Sequence, residues 1–97
     1  MNNREQIRID LAAVVNRLGN RMSSSLLVVR LGVDPPKVAA LRNGRLGIFS
    51  IVRLMHFATR LGHDVDITVR PHAFPGFRPS RRGVVRVVDR SDPQAVV

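Results

Sequence analysis

The stretch Ser23–Gly44, SSSLLVVRLGVDPPKVAALRNG, decides the fold of this chain. Leu27 and Leu31 stand four residues apart on one helical face, and Gly32 ends that helix because glycine adopts positive φ without steric cost. Asp34 begins a second helix as its N-cap, and the two prolines that follow suit a first turn whose N–H groups lack intrahelical partners. The stretch therefore predicts two short helices joined by a tight turn.

The second helix carries the apolar residues Val38 and Leu41 before it stops at Asn43-Gly44. A helix, a glycine-centred turn and another helix within about 20 residues form the helix-turn-helix pattern, whose second helix reads the major groove of DNA. A helical hairpin inside an enzyme has the same local pattern. The rest of the chain has to distinguish the two.

Composition favours a polyanionic partner. The 97 residues carry 16 Lys+Arg against 7 Asp+Glu, a net charge of +9, and 15 of the 16 basic residues are Arg. The arginine guanidinium forms bidentate hydrogen bonds with phosphate and with the guanine edge, so double-stranded DNA is the expected partner. The alternative is that the protein comes from an arginine-rich proteome. There is no cysteine, no apolar run of about 20 residues and no secretory signal in MNNREQIRID, so we expect a cytoplasmic protein with no membrane contact.

The flanking segments complete a small, mainly α-helical domain. Residues 4–18 predict a first helix, and residues 51–61, capped by Ser50, predict a last one. Residues 64–70 (DVDITVR) alternate apolar and polar, which indicates a half-buried β-strand. Its edge needs a partner, either a second strand within the chain or the same strand of another subunit.

We therefore expect a compact helix bundle with a short C-terminal β-strand or hairpin, divided into a helix-turn-helix domain over 1–70 and a basic, Pro/Gly-rich linker with a Val-rich tail over 71–97. Residues 83–89 (GVVRVVD) are β-prone, and they pair with 64–70, dock on another chain or stay loose. For a homodimer, the expected contact surfaces are the last helix and the apolar side of the strand, Val65, Ile67 and Val69.

Nothing in the sequence predicts catalysis, a metal or a cofactor. His56, His63 and His72 match no short zinc motif, and ordinary surface or partly buried histidines are the simpler interpretation. Asp64 and Asp66 share one strand side without a nearby base or ligand set, so a solvated face is expected. We predict that the chain is not an enzyme.

The residues expected to meet DNA lie on and around the two short helices. Lys37 stands at the start of the second helix, where such helices face base edges, and Arg42, Asn43 and Arg45 stand at or beyond its end. The Ser23-Ser24-Ser25 run suits a helix N-cap and hydrogen bonds to phosphate. A solvated helix face explains each residue singly, but the cluster in a +9 chain favours DNA.

Residues 4–71 resemble the XRE (Cro/repressor-like) helix-turn-helix proteins, lambda-repressor-like in fold, and more narrowly the HigA-type antitoxins of toxin–antitoxin pairs. The resemblance is strongest in LGVDPPKVAALRNGRLGIFSIVRLMHFATRLGHDVDITVRP, residues 31–71, with its Leu-Gly-Val turn, its Pro-Lys-Val helix and its strand ending at Arg-Pro. It implies a dimeric, five-helix-like domain that binds its own pseudo-palindromic operator. It also implies an antitoxin that neutralises a HigB/RelE-type mRNA-cleaving toxin.

By position, the resemblance implies a set of DNA-contacting residues. Those at the opening of the first short helix would touch phosphate, those of the second would face the groove, and the last three would meet the backbone: Ser23, Ser24, Ser25; Asp34, Pro35, Lys37, Ala39, Ala40; Arg42, Asn43, Arg45. The chain has Asp34-Pro35 where the family commonly has Ser-Gln. That departure motivates an alternative, a toxin-binding module without sequence-specific DNA reading. A further alternative is nonspecific coating of nucleic acid driven by charge.

Overall fold

The computed structural model describes residues 3–72 and 82–91, and this part of the chain holds four helices. They are α1 (Asn3–Leu18), α2 (Ser24–Leu31), α3 (Pro35–Arg42) and α4 (Ile51–Arg60). The helical predictions are confirmed to within a residue at each end, whereas the five-helix-like arrangement is not seen in the described part.

Local capping sets the start of three helices. The side chains of Ser23, Asp34 and Ser50 accept hydrogen bonds from the main-chain N–H three residues later, at 3.1, 3.1 and 3.0 Å. Each thereby satisfies one of the N–H groups that a helix start leaves unpaired. The caps predicted at Asp34 and Ser50 are confirmed, and within the serine run predicted to cap α2 the capping residue is Ser23.

The turn between α2 and α3 depends on Gly32, which lies in the left-handed region at φ 69° and ψ 36°. Its N–H donates to the Val28 carbonyl at 3.0 Å, and the Val33 N–H reaches the same carbonyl at 3.3 Å. Only three residues, 32–34, separate the helices, so α2 and α3 are held as one unit.

A single hydrophobic core joins the four helices, with α1 packing chiefly on α4 and α2 on α3. Phe49 and Phe57 meet edge to face, with ring centroids 5.6 Å apart and planes at 77°. Such pairs add about 0.5–1.5 kcal/mol beyond area burial. The largest fully buried side chains are Phe49, Leu41, Leu54 and Val38. Two of them, Val38 and Leu41, belong to α3, so the core fixes how α3 is rotated.

The predicted C-terminal strand is not formed. Residues 63–72 and 82–91 contain no strand, and Val65, Ile67 and Val69 are 37, 79 and 93% exposed. A strand needs a neighbour for its main-chain hydrogen bonds, and the described part of the chain places none beside 64–70. The hairpin within the chain is therefore wrong for these residues. The rest of the predicted linker and tail, 73–81 and 92–97, lies outside the described residues.

Among the residues described, no helix has both the length and the apolar character needed to cross a membrane.

Candidate nucleic-acid interface

The helix α3 presents one side to the core and the other to solvent. Val38, Ala40 and Leu41 are buried, whereas Pro35, Ala39 and Arg42 are exposed. Ala40 is only 6% exposed and belongs to the core cluster. Its expected groove-facing role is therefore wrong, because its methyl group fills space between the helices. The outward side of α3 is consequently narrow.

Asp34 and Lys37 form a pair at the start of α3. The Asp34 carboxylate accepts from the Lys37 main-chain N–H at 3.1 Å, and the Lys37 ammonium lies 3.3 Å from its other oxygen. The main-chain hydrogen bond first, and then the ammonium, hold the pKa of Asp34 below its usual value. The one lysine of α3 thus pairs with the residue that caps the helix.

Arg42, at the other end of α3, contacts the protein itself. Its guanidinium donates to the Met22 carbonyl at 2.6 Å, to the Gly19 carbonyl at 3.4 Å and to the Ser24 hydroxyl at 3.1 Å. It therefore braces the end of α3 against the α1–α2 loop and the start of α2. Contact between Arg42 and a DNA phosphate stays a prediction.

The end of α3 also fixes where Arg45 begins. Gly44 takes φ 77°, its N–H approaches the Leu41 carbonyl at 3.4 Å, and the Arg45 N–H donates to the Ala40 carbonyl at 2.9 Å. This is the helix-ending motif in which a left-handed glycine lets its own N–H and that of the next residue donate to carbonyls of the last turn. Arg45 and Asn43 are exposed beside it.

The three serines lie together at the start of α2. Ser23 caps the helix, Ser24 accepts the hydrogen bond from Arg42, and Ser25 is exposed. The positive end of a helix attracts anions. The structure thus brings the serines and Arg42 together at one end of the two-helix unit, while Lys37 and Asp34 lie at the other end of α3.

Sequence reasoning missed the polar residues Asn16, Arg17 and Asn20, which lie at and just beyond the end of α1. Asn16 donates to the Leu41 carbonyl at 3.0 Å, and Asn16, Asn20 and Arg42 line a shallow open depression. Arg17, next to Asn16, forms an ion pair with Asp89. No motif marks these residues, since their partners lie far away in sequence.

Comparison with known proteins agrees with this geometry. Residues 3–70 match the model of a family described as a helix-turn-helix domain. The chain is also similar to a solved structure described as a putative XRE-family transcriptional regulator, at 34% identity over 90% of this chain and 93% of that chain, with a TM-score of 0.73. No curated protein matches the chain.

Fold and site together define the class, a helix-turn-helix DNA-binding protein. The chain belongs to the XRE family of helix-turn-helix transcriptional regulators, which are DNA-binding proteins and not enzymes.

Proposed function

We propose that this regulator is the antitoxin of a toxin–antitoxin operon, which as a dimer represses its own promoter in the cytoplasm and neutralises a HigB/RelE-type mRNA-cleaving toxin by direct binding. The observation that carries the regulatory part is α3, held by Val38 and Leu41 with its other side in solvent. The antitoxin part is supported by the resemblance of residues 31–71 to HigA-type proteins.

The exposed residues on and around α3 suit contacts with the DNA backbone better than contacts with many base edges. Lys37 and Ala39 face the groove in this proposal, Asn43 and Arg45 meet the backbone beyond α3, and the serines of α2 bind phosphate. Phosphate contacts supply most of the affinity, so binding falls steeply as salt rises.

Dimerisation is proposed to use residues 64–70, whose apolar side chains are exposed. In an antiparallel pair centred on Ile67, Val65 faces the partner's Val69 and Asp64 faces the partner's Arg70. The segment is therefore complementary to itself in both hydrophobicity and charge, which favours a second copy as its neighbour. Two reading helices then reach half-sites about 34 Å apart.

A gel shift on the protein's own promoter tests the repressor part. We expect the protein to retard the promoter fragment at low salt, and we expect random-sequence DNA of equal length to be a poor competitor. Failure to retard the promoter at about 50 mM salt, where phosphate contacts are strong, would contradict repression. Equal affinity for both DNAs would instead indicate nonspecific coating.

Co-expression with the product of the adjacent gene tests the antitoxin part. We expect the two proteins to copurify and the toxin's mRNA cleavage to stop in the complex. A neighbour that neither binds the chain nor inhibits growth when expressed alone would contradict this part and leave the repressor part intact.

A second candidate function is a toxin-binding module with little base reading. The ion pair between Asp34 and Lys37 favours it, since a carboxylate at the start of α3 repels phosphate and occupies the only lysine there. Copurification with the toxin in the absence of promoter binding would select this candidate.

A further inference from the structure

The segment 82–91 returns to the end of α1. Arg17 donates to Asp89 Oδ2 from its Nη2 at 2.5 Å and from its Nε at 3.1 Å, and its Nη2 also contacts the Ser91 hydroxyl. The two residues of this ion pair are 72 positions apart in the chain. Both guanidinium nitrogens donate to the same carboxylate oxygen, and such hydrogen bonds between ionised groups are stronger than those between neutral groups.

The attachment is organised from both sides. The other carboxylate oxygen of Asp89 accepts from the Ser91 N–H at 2.9 Å and from the Ser91 hydroxyl at 2.6 Å. The Asp89 side chain is 27% exposed, and Val87, two residues before it, is half-buried. The segment is thus held at a defined point.

The attached segment is basic. Three residues of the segment, Arg82, Arg86 and Arg90, are exposed. Within residues 3–72 and 82–91 the basic members of ion pairs are Arg8, Arg17 and Lys37, so none of the three arginines forms an ion pair there. Three arginines against the single carboxylate of Asp89 give the segment a net charge of +2.

The attachment point lies next to the loop that leads into α2, whose serines bind phosphate in the proposed function. Arg17 lies in the last turn of α1, directly before the α1–α2 loop. In that loop the main-chain carbonyls of Gly19 and Met22 accept hydrogen bonds from the Arg42 guanidinium. That loop leads into Ser23, the cap of α2.

We propose that residues 82–91 form a second DNA-contacting arm, anchored to α1 by Arg17 and Asp89, whose arginines bind the phosphate backbone of the duplex beside the half-site. The inference rests on the DNA-binding function but not on the operator or the toxin. Because the arm is already fixed in the free protein, it loses less conformational entropy on binding than a loose basic tail would lose. Its contacts are to phosphate and therefore independent of base sequence.

In the opposite role, the Asp89 carboxylate occupies Arg17 in place of a DNA phosphate and so weakens DNA binding. The net charge of +2 disfavours that role, because attaching such a segment raises the positive potential near DNA. The two roles predict opposite signs for the loss of the Asp89 charge.

The test compares Asp89→Asn with Asp10→Asn in the full chain. Both variants remove one carboxylate charge, and Asp10 lies on α1 with Gln6 as its hydrogen-bond donor at 2.8 Å. Affinity is measured on the protein's own promoter and on a random duplex about three helical turns long. We expect Asp89→Asn to bind both DNAs roughly 3- to 10-fold more weakly than Asp10→Asn, because the arm is released and no longer holds its arginines against phosphate.

A second variant measures the phosphate binding of the arm itself. Arg86→Ala with Arg90→Ala should reduce the slope of log K against log salt by about 0.9 for each phosphate that the arm no longer binds, and the reduction should shrink in the Asp89→Asn background. Equal thermal midpoints for all variants show that the helical domain is intact.

The outcomes separate the arm from the operator repressor. Equal or tighter binding by Asp89→Asn, or an unchanged salt slope in the double arginine variant, overturns the arm. If the wild-type protein shows no preference for the promoter over random DNA, the operator repressor is contradicted. The proposed arm is not contradicted by that outcome, since phosphate is present on any duplex. Absence of binding to either duplex at low salt overturns both.

Discussion

The side-chain amide of Asn16 donates to the main-chain carbonyl of Leu41 at 3.0 Å, which ties α1 to the last turn of α3. The same carbonyl receives the Gly44 N–H at 3.4 Å. Asn16 therefore helps to set where α3 ends and how it lies relative to α1.

Replacing Asn16 with Ala should lower the free energy of unfolding by about 1 kcal/mol, the net contribution of one such hydrogen bond. Urea unfolding followed by circular dichroism measures it. Asn20→Ala is the control, because Asn20 is exposed. Equal destabilisation by the two changes would show that the bond to Leu41 contributes nothing.

Replacing Gly32 with Ala should destabilise the domain by about 1–2 kcal/mol through the left-handed backbone alone. A Cβ there would also lie 3.3 Å from Arg60 Nη1, a side-chain end that can move. Gly44→Ala is a matched comparison, since its φ is 77° and nothing lies within 4 Å of its added Cβ. We expect thermal midpoints to fall for both and slightly further for Gly32→Ala; an unchanged midpoint at both sites would refute the strain.

Replacing Asp34 with Asn should keep the cap of α3 and tighten DNA binding, because Asn caps helices well but neither repels phosphate nor pairs with Lys37. Asp34→Ala should instead lower the thermal midpoint. Fluorescence anisotropy with promoter DNA and thermal unfolding give the two readouts. Weaker DNA binding by a fully stable Asp34→Asn protein would mean that the carboxylate itself contributes to recognition.

Reversing Asp64 to Arg should weaken the proposed dimer, because it places like charges opposite each other across the Ile67-centred pair. Adding Arg70→Asp should restore the dimer by exchanging the two charges. Light scattering at micromolar concentration reads the mass. A wild-type monomer, or a double variant as weak as the single one, would reject this register.

The attachment of residues 82–91 should depend on acid pH. The Ser91 hydroxyl above all lowers the pKa of Asp89, partial burial opposes it, and the Ser91 N–H and Arg17 lower it further, to about 2 from 3.8. Because the Arg17 contact favours the ionised carboxylate, its contribution to attachment is fully present above pH 3.8 and is lost as the pH falls from there through about 2. An NMR titration of the Asp89 carboxyl follows its pKa, and in Arg17→Ala the midpoint should rise only slightly, because the largest effect comes from Ser91 within the segment itself. A midpoint that does not change in Arg17→Ala would show that Arg17 does not contact the Asp89 carboxylate in solution.

The sequence by itself determined the helices and the two-helix unit. Ser23, Asp34 and Ser50 cap within three residues of their own position, and Gly32 turns the chain at one residue, so the information is local. The resemblance to XRE helix-turn-helix proteins rested on the same local order of residues, and that part of it is confirmed by the helix-turn-helix family match over residues 3–70 and by the similar solved structure.

Only the tertiary structure decided the partners of distant groups. The alternation in 64–70 predicted a strand, but alternation does not supply the neighbouring strand that pairing requires. Ala40 was expected in the groove and is buried, since the rotation of α3 is set by how its core residues pack against the other helices. Arg42 and Arg17 contact groups 18–23 and 72–74 residues away, so no local pattern could have indicated where their guanidinium groups bind.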